Sequence, residues 1–183
     1  MDFIIGLPTV HGKDYIFVVV DRLTKYSHFF AISAHYTTAQ VAELFFREIF
    51  RLHGLPKTIV SDRDNRFMGG FLQELFRLVG MELTPSTSYH PQTDGKTEIV
   101  NKWLEGYLCN YVSGQQQAWL KWLHLGEYCY NTTHHMSIGM SPFYASYGYH
   151  PLSFADVMFG ASKGSESQDL DPRESEYSPS SQE

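Results

Sequence analysis

The sequence predicts an α/β protein built on a mixed sheet, and three observations carry that expectation. The run "DYIFVVVD" at 14–21 is continuous in β-branched and aromatic residues, the composition of a strand buried on both faces. Segments of helical period, led by "TAQVAELFFREIFRLHG" at 38–54, alternate along the chain with short strand-like segments such as "TIVSD". The 183 residues are 43% hydrophobic and 15% aromatic, enough to bury one core.

Taken in order, "DFIIGLP" reads as a short strand closed by a Gly/Pro turn, followed by the strand at 14–21. After the polar turn from Arg22 to Ser27, "HFFAIS" makes a third strand in meander order. Thr37 or Thr38 is placed to cap the first helix, where Val41, Leu44, Phe45, Ile49 and Leu52 recur at helical spacing and Gly54 and Pro56 end the pattern. "TIVSD" is a strand ending on an acid, "GGFLQELFRLVG" a second helix and "MELTPS" a further strand. In "STSYHPQTDGKTEIVNKWLEGYL", residues 86–108, a turn-rich polar loop runs into a third helix. Another helix covers "QQQAWLKWLHLGEYCYNTT". The short "SPFYASYG" is started by Ser141 with Pro142 at its first position.

Residues 160–183 are dominated by Ser, Glu, Asp and Pro, and read as a disordered tail beyond a domain of residues 1–159. The tail carries two basic residues, Lys163 and Arg173, against six acidic ones, so of the whole-chain charge of −6 about −2 belongs to the rest. Net charge alone does not point to nucleic acid. Cys109 and Cys129 form no CxxC pair and fit a reducing compartment. No apolar run approaches a membrane span and no signal peptide opens the chain, so an intracellular protein without membrane contact is expected.

Chemistry in open α/β sheets collects at strand ends and in the loops after them. Asp2 in the first strand, Asp62 at the end of "TIVSD" and Glu98 behind the "YHPQTDG" loop bring three carboxylates from three elements. Hard divalent cations need a few such oxygens, and a pair of ions suits phosphoryl transfer. On the third helix Val100, Trp103, Leu104, Tyr107, Leu108 and Tyr111 share an apolar face, whereas Glu98, Lys102 and Glu105 lie opposite. A bland alternative stands beside the ligand reading: Glu98 favours the helix N-terminus and pairs with Lys102 at i,i+4.

Thirty-five residues separate Asp62 from Glu98, the second acid lying in "VSDRDNRF" and the third in "YHPQTDGKTEIVNK". Together with "MDFIIGLP", "VVVDRLTKYSHF", "HGLPKTIVSDRD" and "SPFYASYGYHP", this strongly resembles the D,D-35-E catalytic core of retroviral and gypsy-type LTR retrotransposon integrases, over about residues 1–152. The resemblance implies a ribonuclease H-like fold, with a five-stranded mixed sheet flanked by helices. It assigns the catalytic and metal-binding carboxylates to Asp2, Asp62 and Glu98. It leaves Asp21 outside the triad and gives Asp64 and Asp94 turn roles.

The resemblance further implies a core using two Mg²⁺ or Mn²⁺ ions to process the element's DNA 3′ end and join it to target DNA. Such cores work in the nucleus and pair as homodimers or higher oligomers. Lys102 matches a DNA-contacting position, a surface ion pair being its alternative, and Tyr89, His90 and Gln92 lie in the loop expected to touch DNA. Trp119 and Trp122 belong either to a dimer surface or to the core, and adjacent His134 and His135 to a loop. The zinc-binding and downstream domains usual in the family are not in this sequence, which reads as a core fragment or a degenerate copy. The rival functions are a catalytically impaired, DNA-associated or oligomerising module, and a ribonuclease H-like nuclease acting on RNA–DNA hybrids.

Overall fold

Strand β2 (Tyr15–Val20) pairs antiparallel with β1 (Asp2–Ile4) on one side and with β3 (Ser27–Ile32) on the other, giving the order β1-β2-β3. The register sets Asp2 opposite Val18 and Phe17 between Phe3 and Phe30. The computed structural model describes residues 1–61, 63–81, 95–112 and 116–152.

Side chains alternate across this sheet with the two-residue period of a strand, and so feed two cores. Ile4, Ile16, Val18 and Phe29 face α4 (Gly95–Tyr111) and α5 (Trp119–Thr132), where Val100, Leu104, Leu108, Trp119 and Leu123 are buried. Phe3, Phe17 and Ile32 face the opposite way, onto α1 (Thr38–Phe45) and α3 (Asn65–Val79) through Val41, Phe45, Met68, Phe71 and Leu75. β2 is therefore covered on both faces, as its continuous apolar run requires.

The helix expected over 38–54 forms as α1, a π-helical turn Phe46–Phe50 and α2 (Arg51–His53). Thr37 caps it by a reciprocal box: Gln40 N–H donates to Thr37 Oγ1 at 3.2 Å and Gln40 Oε1 accepts from Thr37 N–H at 2.8 Å. α3 starts four residues before the expected Gly69, because Asp64 accepts from Phe67 N–H at 2.8 Å and caps it. Ser141 caps α6 (Pro142–Tyr147), with Pro142 in its first turn.

Two further expectations need correction. Tyr111, placed on the packing face of α4, is 52% exposed, whereas Trp119 is 1% exposed and belongs to the core, its Nε1–H donating to Pro8 O at 2.8 Å. Trp122 is half-buried against the same core and stacks near Tyr111. Three strands are present among the described residues. Residues 58–61 of the expected strand "TIVSD" form no strand, and of the expected strand at 81–86 all but Met81 lies outside the described residues. Met1–His150 forms one compact unit, which holds all the elements named above.

Candidate active site

The start of β1 is gripped by groups from several parts of the chain. The terminal ammonium of Met1 donates to Val60 O at 2.7 Å, which lays the residues just before position 62 against it. On the other side of position 62, the Arg63 guanidinium sits over the Phe3 ring, 4.5 Å from its centroid, and Arg63 N–H donates to Ser61 Oγ at 3.2 Å. From α4, Asn101 Nδ2 donates to Asp2 Oδ2 at 2.5 Å, while Asp2 Oδ1 accepts from Phe3 N–H at 2.7 Å. Both chain neighbours of Asp2 thus touch residues that flank position 62, and Asp2 itself touches α4. Asp62 lies outside the described residues.

Glu98 precedes Asn101 by three residues, one helical turn, so the contact between Asn101 and Asp2 also fixes the stretch of α4 that carries Glu98. The Glu98 side chain points to solvent and meets Lys102 Nζ at 2.9 Å. The Lys102 hydrogen bond and its charge hold the Glu98 carboxyl below the usual carboxylate range, and Glu98 in turn raises the Lys102 ammonium. The i,i+4 pair expected as the bland alternative is therefore formed. It keeps Glu98 ionised and leaves its carboxylate accessible.

Asn101 was not singled out by sequence reasoning. Its only local signal is a polar residue at the edge of the apolar face, three residues past Glu98. Its Oδ1 is buried without a hydrogen-bond partner among the described residues. A buried amide oxygen beside a carboxylate is short of a positive partner, and with Asp2 it offers the hard oxygen donors that Mg²⁺ or Mn²⁺ takes. No group of three His, Cys, Asp or Glu suited to a metal ion occurs among the described residues, a set that omits Asp62.

The rival acids are committed elsewhere. Asp21 Oδ2 accepts from Thr24 N–H at 2.8 Å and Thr24 Oγ1–H at 2.6 Å, closing the turn between β2 and β3. Burial alone would raise its pKa, but these Thr24 bonds, a further one from the Leu23 backbone and nearby His53 bring it below the ordinary value. Asp64 caps α3. His134 and His135 lie in the loop after α5, where His135 Nδ1 meets Ser137 Oγ at 3.1 Å. Tyr89, His90, Gln92 and Asp94 lie outside the described residues.

The antiparallel meander layered between helices, with an acid on its first strand and another on a helix packed against it, is a ribonuclease H-like fold. Among solved structures, the chain is similar to the HTLV-2 integrase catalytic core domain in complex with magnesium. The dimeric form matches with a TM-score of 0.57 at 15% identity, covering 80% of this chain and 93% of that one. The trimeric form matches with a TM-score of 0.55 at 15% identity, covering 78% and 91%. The Tf2-3 and Tf2-4 transposon polyproteins of Schizosaccharomyces pombe are 32% identical over 151 residues, 82% of this chain. The chain spans about a tenth of the length of these curated relatives, 11%. No family model matches. The chain belongs to the integrase catalytic cores of the LTR-retrotransposon and retroviral type.

Proposed function

We propose that this chain is the metal-dependent polynucleotidyl transferase core of a retrotransposon integrase, which trims the element's DNA 3′ end and joins it to target DNA. The observation that carries this reading is the convergence on Asp2 of α4, through Asn101, and of the chain on both sides of position 62. Asp2 with Asp62 would hold one divalent ion, and Asp2 with Glu98 a second. Two such ions, when bound, activate an attacking oxygen and stabilise a leaving one.

The chain's own residues orient those donors. Asn101 fixes the Asp2 carboxylate, and with ions bound the solvent-facing Glu98 carboxylate would exchange its Lys102 partner for them, leaving the Lys102 ammonium for a phosphate of the element's end. Tyr89, His90 and Gln92 would contact DNA from the loop before α4. Residues 1–159 form the catalytic unit in this reading and 160–183 an acidic tail. In this reading it works on nuclear DNA, and as a homodimer or larger assembly; the dimeric and trimeric forms of the HTLV-2 core support the assembly.

Strand cleavage and joining on a branched DNA carrying the element's end, with Mn²⁺, tests the proposal. Activity in the wild-type chain that is lost in Glu98→Gln supports it. A folded wild-type chain that binds no Mn²⁺ and joins nothing favours the non-catalytic module.

A further inference from the structure

Apart from the groups that converge on Asp2, one stretch of the chain is rich in rings and free of carboxylates. Residues 128–150 contain no Asp or Glu, although the whole chain carries −6, and they include five tyrosines and three histidines. The turn between β2 and β3 meets this stretch through Tyr26, whose ring lies edge-on to Tyr147 at 5.6 Å, and it brings Arg22 and Lys25 alongside. Acids on the neighbouring elements are spent internally. Asp21 is held by Thr24, while Glu127 meets His28 Nδ1 at 3.1 Å and accepts from Phe29 N–H at 2.8 Å. His28 Nε2 in turn lies 2.9 Å from His53 Nε2, where burial and the adjacent His28 hold the His53 pKa low against the pull of Asp21.

The rings are braced by one another. Phe143 and Tyr147 stand one turn apart on α6, their centroids separated by 4.7 Å. Gly148, with φ of +76°, ends the helix and turns the chain so that Tyr149 lies edge-on to Phe143 at 5.4 Å. Phe143 is half-buried, whereas Tyr147 and Tyr149 remain 44% and 59% exposed. Lys25 holds φ of +64°, a left-handed conformation in which glycine is the easier residue, and its Nζ donates to Arg22 O at 2.7 Å. The turn therefore keeps a cation beside the rings at some cost to its backbone.

We infer that Tyr147 and Tyr149 form a stacking seat for the unpaired bases of single-stranded DNA, with Lys25 supplying charge for its phosphates. The choice of DNA rests on the proposed integrase reading. Every base has a flat face, so stacking on tyrosine tolerates any sequence, and a nearby cation follows the backbone. In a duplex the bases stack on each other and do not offer those faces, so the seat discriminates between the two forms.

Fluorescence anisotropy of a labelled oligothymidine of about 15 nucleotides tests this in the full chain, with EDTA present so that no divalent ion bridges DNA to the carboxylates. Tyr149→Ala is expected to weaken single-strand binding by about tenfold and Tyr149→Phe to restore it, while both bind a duplex of the same length like the wild type. Lys25→Gly, which suits the left-handed backbone, is expected to lower the salt slope of single-strand affinity by about 0.7. Equal single-strand affinity in the wild type and Tyr149→Ala overturns the seat, as does an equal loss on the duplex, and an unaltered slope removes Lys25 from it. A polyproline peptide whose binding is abolished by Tyr149→Ala, with single-strand affinity unchanged, overturns it in favour of a peptide groove. A wild-type chain that joins no strands counts against the integrase reading instead, and the anisotropy comparison still decides the seat.

Discussion

Asn101 donates its side-chain amide to Asp2 Oδ2 across 2.5 Å, joining α4 to the first residue of β1. These residues are 99 apart in sequence, and the bond fixes the distance between the two elements that supply Asp2 and Glu98. Replacing Asn101 with Leu removes a hydrogen bond to a charged group while relieving the unpartnered Oδ1, so a loss of about 1 to 2 kcal/mol is expected by urea denaturation. Asn101→Asp sets a second carboxylate against Asp2. It should cost more stability at about pH 7 than at about pH 4.5, where protonating one acid relieves the repulsion. Equal losses at both pH values would show that the two side chains do not face each other.

Lys102 touches Glu98 on an open helix surface. Lys102→Ala should leave the unfolding midpoint unchanged, because exposed pairs at this spacing contribute little. If Lys102 meets a phosphate, the same change lowers the salt dependence of DNA affinity by about one counterion. Affinities measured across a range of salt concentrations check this, and an unaltered slope would leave Lys102 as a surface partner only.

α4 and α5 approach closely at Gly126. A Cβ there would stand 2.9 and 3.1 Å from Tyr107 ring carbons and 3.4 Å from Leu104 Cδ1. The Tyr107 ring is stacked between Trp103 and Tyr111, at centroid distances of 5.4 and 4.6 Å, and cannot swing aside freely. Gly126→Ala is expected to destabilise by about 1 to 3 kcal/mol in thermal or urea unfolding. A neutral result would mean the two helices separate without cost.

His53 titrates below its ordinary value in the folded chain, whereas the unfolded ring takes up its proton at about pH 6.5. A group whose folded pKa is depressed in this sense binds protons more readily when unfolded. Its contribution is complete above that pH and declines as pH falls through it toward the lower folded value. Between about pH 7.5 and 5.5 the wild-type urea midpoint should therefore fall further than that of His53→Gln. Parallel declines would contradict the assignment.

Several of these features were legible in the sequence because they are local. The threonine cap of α1, left open between Thr37 and Thr38, the Ser141–Pro142 start of α6 and the doubly buried β2 run each depend on residues within one short window. The two consecutive glycines at 69 and 70 resemble a boundary, but the Asp64 cap five residues before Gly69 outweighs them and starts α3 earlier. Tyr111 shares the helical period of the packing face but is 52% exposed, its ring lying against Tyr107 and Trp122. Spacing could not separate Asp2 from Asp21, since both are acids at strand ends, and the choice came from the family resemblance. The structure supplies a physical distinction, because Asp21 spends its carboxylate on Thr24. The pairs Asp2–Asn101, His28–His53 and His28–Glu127 are joined only by the fold, and no local pattern announces them.

Asp2 and Glu98 are central to the proposed mechanism because both must serve one divalent-cation site. Calorimetric titration of Mn²⁺ into the wild-type chain, Asp2→Asn and Glu98→Gln tests this most directly. Measurable binding is expected in the wild type and a loss of about tenfold or more in each variant, with thermal midpoints unchanged for Glu98→Gln because its side chain is solvent-facing. Wild-type affinity retained in both variants would contradict the shared site.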